Sequence, residues 1–139
     1  MKKNIANAVW HDSVKEGSGS LTTFSKVLEN SPYSFKGRFD NAAGTNPDEL
    51  LAASHAGCFA MALSLILGEA GYIPDSLDVT AEVTMDPSQL AITQSHLKLH
   101  AKIANITKDK FLECANAAKD NCPISKALSV PIILDSTLN

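Results

Sequence analysis

TNPDELLAASHAGCFAMALSLILGEAG, residues 45–71, is the stretch whose reading decides the fold. Thr45 or Asn46 can cap a helix, Pro47 suits its first position, and Asp48 and Glu49 favour its positive end. The helical pattern runs from Leu50 through Ala70 and stops at Gly71. At about 1.5 Å per residue such a helix spans about 36 Å, the width of a small domain. It is apolar almost all round, which predicts burial on every side. Ser54, His55, Ser64 and Glu69 argue against a membrane span. Ala53, Gly57, Ala60 and Ser64 recur at spacings of four, three and four, so small residues share one side. Leu51, Phe59, Leu65 and Ile66 lie on the others. A short chain has few segments to cover so long a helix, which predicts a second copy packed on the small-residue side, a homodimer.

Outward from this helix the pattern changes. Before it, Ile5 to Trp10 and Leu21 to Val27 read as short strands around a turn at residues 16–20, with a third strand near Tyr33 to Phe39. Gly17 and Gly19 lack the third glycine and following helix of a nucleotide-binding turn. After Pro74 the period is two: Leu77, Val79, Ala81, Val83 and Met85 alternate with polar residues, as do Leu97, Leu99, Ala101 and Ile103. Asp86-Pro87-Ser88 is the turn between them. An amphipathic helix follows from Thr107 or Lys108 to Asp120, then a short helix from Pro123 to Leu128. Val130 to Leu134 reads as a last strand, with Pro131 pointing to a strand start or an edge. Strands, a long helix, strands, helices and a strand make an α+β fold.

The chain has 139 residues, no repeats and no linker long enough to divide it, so one domain over 1–139 is expected. Net charge is −3, with no basic run beyond Lys2-Lys3, which argues against nucleic acid or an anionic membrane as partner. No signal-peptide core follows those lysines, so a cytoplasmic protein is expected. In that reducing compartment, structural disulfides are not expected from three cysteines.

Those cysteines differ in setting. Cys58 lies mid-helix, Cys114 on an apolar face with Phe111, Ala115 and Ala118, and Cys122 just before Pro123. No Cys-x-x-Cys pair supports a thioredoxin motif or a zinc knuckle. Cys122 can sit at a helix N-cap, where free N–H groups lower a thiol pKa. Cys58 is about three turns into its helix and needs a charge for activation. Arg38, the single arginine in the chain, and His55, one turn before Cys58, are the candidates. An arginine keeps its charge when partly buried but needs a carboxylate to hold its fork, and Asp48 or Glu49 can serve. On residue type alone, Cys58 and Cys114 read as core and His55 as a satisfied interior histidine. His96 and His100 lie about 13 Å apart along one strand face, too far to share a metal.

The run Gly44 to Gly71 closely resembles the osmotically inducible protein C (OsmC) family, within the OsmC/Ohr group of organic hydroperoxide reductases. Asn121-Cys122-Pro123-Ile124-Ser125-Lys126-Ala127-Leu128 resembles that family's second cysteine motif, and Gly37-Arg38-Phe39 and Ala8-Val9-Trp10 fit as well. The resemblance implies an intertwined homodimer, antiparallel-rich sheets wrapped around two long central helices, with active sites at the subunit interface. It implies that Cys58 attacks the peroxide and that Cys122 closes a disulfide with it. Arg38 then stabilises the thiolate and Glu49 orients Arg38. Implied partners are an organic hydroperoxide and a dithiol reductant such as a lipoyl group, with no cofactor and no metal. Phe39, Phe59, Met61 and Leu65 are candidates for an apolar wall of that site. Two rivals stand beside this reading. One is a non-catalytic dimer of the same fold binding a small apolar ligand; the other is a thiol hydrolase or transferase using Cys58 and His55.

Overall fold

In the computed structural model, residues 1–40 and 42–139 are described. They form two units, Met1–Leu50 and Leu51–Asn139. In the first, β1 (Ala6–His11) pairs antiparallel with β2 (Ser18–Thr23), and β2 with β3 (Ser31–Tyr33). Trp10 and Tyr33 meet over Gly19 with ring centroids 5.5 Å apart. A Cβ at Gly19 would come within 2.4 Å of the Tyr33 ring, so this position admits only glycine.

Two expectations fail in this unit. Strand β2 ends at Thr23 and does not continue to Val27. Lys26 and Asn30 take left-handed φ values of 64° and 47°, which a strand cannot hold, and the Leu28 carbonyl returns to accept from the Thr23 N–H. The segment up to Phe39 is not a strand either: β3 stops at Tyr33 and helix α1 (Phe35–Phe39) follows. Ser34 supplies the cap, its Oγ accepting from the Gly37 N–H at 3.0 Å. Phe35 and Phe39, one turn apart, pack edge to face at 4.7 Å. Five residues are too few for periodicity to separate a strand from one helical turn; the cap decides.

Helix α2 (Pro47–Glu69) starts as its sequence predicts, with Asn46 Oδ1 accepting from the Glu49 N–H at 2.8 Å. It ends at Gly71, whose φ of 91° closes the last turn as Tyr72 N–H reaches the Leu67 carbonyl.

In the second unit, β4 (Ser76–Asp86) runs antiparallel to β5 (Ala91–Lys102), and β6 (Ile132–Leu138) lies parallel to β5 on its other side. Helices α3 (Lys108–Asn121) and α4 (Pro123–Ala127) form the crossover that a parallel pair requires. Strand β6 begins later and runs further than the predicted 130–134, because Pro131 has no N–H for the ladder and only its carbonyl bonds β5. The core joins Leu97, Leu99 and Ala101 of β5 to Phe111, Cys114, Ala115 and Ala118 of α3 and Phe59, Leu63 and Leu67 of α2. Cys114 is therefore packing, as its residue type suggested.

The all-round burial expected of α2 does not hold in the single chain. His55, Phe59, Leu63 and Leu67, spaced by four, are completely buried, whereas Met61 and Leu65 are 77% and 64% exposed. Ala53, Gly57, Ser64 and Gly68 are exposed beside them. By length and hydropathy α2 could cross a membrane, but its buried stripe belongs to the core of the second unit.

Candidate active site

Within the second unit, the fold brings Cys58 and Cys122 together. Cys58 projects from the middle of α2, half-buried, with the Cys122 thiol and the Ile124 backbone N–H near enough to bear on its pKa. Both cysteines, and Cys114, are free thiols. Burial pushes the Cys58 thiol above its ordinary value; the Ile124 N–H pulls it down, and the neighbouring Cys122 raises it again. Burial also raises Cys114.

Cys122 sits where α3 ends and α4 begins, 1% exposed. It is the N-cap of α4, as its position before Pro123 predicted. Its sulfur accepts from the Ser125 N–H at 3.3 Å and lies 3.1 Å from the Ser125 hydroxyl. That hydroxyl is 2.8 Å from Nε2 of His55, and Nδ1 of His55 is 2.7 Å from the Ser95 hydroxyl of β5. Both ring nitrogens are thus satisfied, so His55 is the interior histidine its residue type suggested. Burial lowers its pKa and keeps it neutral near pH 7, one nitrogen donating and the other accepting. His55 touches Ser95 and Ser125, not the Cys58 thiol as the hydrolase rival requires.

Within the first unit, Arg38 on α1 forms a two-pronged pair with Asp48. Its Nε and Nη2 donate to Oδ2 and Oδ1, each at 3.0 Å. Asn46 Nδ2 donates to the Gly37 carbonyl at 3.0 Å and ties α1 to the start of α2. The resemblance gives the place beside Arg38 to Glu49, whereas here Asp48 takes the fork. Glu49 is exposed and accepts a 2.6 Å hydrogen bond from the Thr45 hydroxyl, while Asp48 holds the arginine. Consecutive residues on a helix point about 100° apart, so only one of two adjacent carboxylates can face α1. A cavity of about 310 Å³ lies beside the guanidinium, lined by Trp10, Val14, Tyr33, Phe35, Arg38 and Pro47. It is an apolar pocket with one cation at its wall.

The apolar wall proposed from sequence breaks up. Phe59 is wholly in the core, Phe39 packs on Phe35, and Met61 and Leu65 are on the open side of α2. His96 and His100 bond across strands to Asp135 and Thr137, and among the described residues no group of three metal-ligating side chains forms. Sequence reading left Asp48 and Glu49 open as the arginine's partner, and it passed over Ser125 and Ser95. Ser125 had a signal, lying three residues after a capping position. Ser95 had one too, sharing strand parity with Leu97 and Leu99.

The model of the OsmC-like protein family matches residues 39–135 of this chain. Peroxiredoxin OsmC of Escherichia coli is 44% identical over 133 residues, covering 94% of this chain and 93% of the relative. Organic hydroperoxide resistance protein OhrB of Bacillus subtilis is 30% identical over 114 residues, covering 79% of this chain and 81% of the relative. The solved structure of an OsmC-like protein of unknown function from Vibrio cholerae superposes with a TM-score of 0.76, covering 99% of this chain and all of that one. Its identity is 12%, so this likeness bears on the fold alone.

Proposed function

The chain belongs to the OsmC-like protein family, and we propose that it is a thiol-dependent peroxidase that reduces organic hydroperoxides. The observation that carries the reading is the meeting of the Cys58 and Cys122 thiols from segments more than sixty residues apart. A core would be served by one small apolar side chain at each position. Two neighbouring thiols, one of them capping a helix, suit sulfur chemistry better.

In the proposed cycle the Cys58 thiolate attacks the terminal oxygen of the hydroperoxide. The O–O bond breaks, the alkoxide leaves and takes a proton as the alcohol, and Cys58 becomes a sulfenic acid. Cys122 sulfur then displaces that hydroxyl as water and forms the Cys58–Cys122 disulfide. A dithiol such as a lipoyl group reduces the disulfide by exchange and is itself oxidised. Arg38, held by Asp48, is the cation that steadies the thiolate and the departing oxygen. Glu49 remains in the catalytic set as the second carboxylate at the same helix start. No cofactor takes part. The two units act as one domain over 1–139, in the reducing cytoplasm where the thiols are regenerated.

The reading includes a homodimer with its active sites at the subunit interface. The support is the open face of α2, where Met61 and Leu65 stand exposed beside Ala53, Gly57, Ser64 and Gly68. A large exposed apolar strip on a soluble chain marks an association surface.

Cumene hydroperoxide consumption with a dithiol donor tests the cycle. Cys58→Ser is expected to be inactive. Cys122→Ser is expected to give a trappable sulfenic acid on Cys58 and to turn over poorly. Wild-type activity in Cys58→Ser would sink the mechanism. The aromatic-lined cavity beside Arg38 favours a second reading, a non-catalytic binder of small apolar ligands. That reading predicts ligand binding without any peroxide consumption.

A further inference from the structure

The row Ser95–His55–Ser125–Cys122 is the most deeply buried polar cluster of the second unit, and peroxide attack by Cys58 makes no use of it. His55 and Ser95 are fully buried, Ser125 is 7% exposed and Cys122 is 1% exposed. Every link is a hydrogen bond of ordinary length: 2.7 Å, 2.8 Å and 3.1 Å in order along the row. A histidine buried only for packing would be replaced at no cost by an apolar residue of its volume, since its two nitrogens must be satisfied merely to break even. This one ends, through a single hydroxyl, on a sulfur that has to lose a proton. That sulfur is shut off from bulk water, so a base for it has to come from the interior.

We propose that Ser125 and His55 form a proton relay for Cys122 in the disulfide-forming step. The proposal rests on the peroxidatic and resolving roles given above to Cys58 and Cys122. As Cys122 Sγ attacks the sulfenic sulfur of Cys58, its proton passes to Ser125 Oγ while the Ser125 hydroxyl proton passes to Nε2 of His55. The S–S bond forms as the S–O bond breaks, and the leaving hydroxide departs as water with the proton that His55 accepted, returned along the same row. Thiol and sulfenic acid thus yield disulfide and water, and His55 and Ser125 end in their starting protonation states. The relay uses the tautomer in which Nδ1–H donates to the Ser95 hydroxyl and Nε2 is the acceptor facing Ser125. Among the described residues no carboxylate or cation is hydrogen-bonded to His55; its partners are the two serines, with Cys122 beyond. A neutral imidazole that holds a proton briefly and gives it up readily suits a relay better than one locked as an ion. Ser125 touches the reacting sulfur; His55 is a positioning residue that acts through it.

The two half-reactions separate this proposal from the reading beneath it. Reduced full-length protein is mixed with one equivalent of cumene hydroperoxide and quenched over time, either with dimedone to trap the Cys58 sulfenic acid or with a thiol alkylator to count the disulfide. Ser125→Ala and His55→Gln are expected to form the sulfenic acid at the wild-type rate but to close the disulfide at least about tenfold more slowly. Ser125→Thr, which keeps a hydroxyl, is expected to recover to within about threefold of wild type, a rescue that packing alone would not favour. Disulfide closure at the wild-type rate in both Ser125→Ala and His55→Gln overturns the relay. Equal slowing of both half-reactions assigns the row to scaffold and overturns it as well. Failure of the wild-type protein to form any Cys58 sulfenic acid overturns the peroxidase reading, and the relay with it.

Discussion

Cys58 is a thiol whose near neighbours hold it protonated: burial and the adjacent Cys122 raise its pKa, and the Ile124 N–H offsets them only in part. A thiol with pKa near 8.5 is only about 3% ionised at pH 7, whereas one lowered to about 6 is mostly ionised. The proposed mechanism therefore needs a cation, and Arg38 is the one assigned. Arg38→Ala is expected to raise the midpoint of Cys58 alkylation by roughly one unit or more. An alkylation profile that does not move removes Arg38 from its role. Asp48→Asn is expected to give part of that shift, because it loosens the fork seen at 3.0 Å on both prongs. His55 adds a stability effect with a definite sign. Its folded pKa lies below the ordinary 6.5, so below about pH 6.5 the unfolded chain binds a proton that the folded one refuses. Its contribution is present above pH 6.5 and is lost as pH falls, by up to about 1.4 kcal/mol per unit. Urea unfolding at pH 7.5 and 5.5 should show this loss in the wild type and a smaller one in His55→Gln. Equal losses would mean that burial does not govern this imidazole.

Helix α2 is two helices in one sequence. One stripe, His55, Phe59, Leu63 and Leu67, is completely buried; the opposite side, from Ala53 through Gly57 to Gly68, is open. Leu63→Ala is expected to cost about 2–5 kcal/mol, because it empties a site closed on every side. Chemical denaturation measures it, and a loss under about 1 kcal/mol would show that the core collapses around the gap. The long helix was readable from its cap and its Gly71 stop because these are local hydrogen-bonding events. Helix α1 was not, since its one turn carries no period and depends on Ser34 turning its hydroxyl to Gly37. Nor was it legible that β6 pairs parallel to β5; strand alternation is the same for either direction.

At the scale of the whole molecule, the open side of α2 carries the dimer prediction. Sedimentation should give twice the mass of one chain, and Met61→Glu with Leu65→Glu should reduce it to one and lower peroxidase activity together. A wild-type monomer at micromolar concentration would refute the helix pairing. The sequence by itself determined the α+β class, the extent of the central helix, and Cys122 as a helix cap. All of these follow from short-range spacing and hydrogen bonding. Tertiary structure alone decided that Asp48, not its neighbour Glu49, takes the Arg38 fork, because which of two adjacent carboxylates faces α1 is set by the rotation of one helix against another segment. It alone decided that Ser95 and Ser125, forty and seventy residues from His55, close on its two ring nitrogens. Residue type and spacing carry no record of such meetings. They exist only once a strand, a helix and a crossover have packed into the same few ångströms.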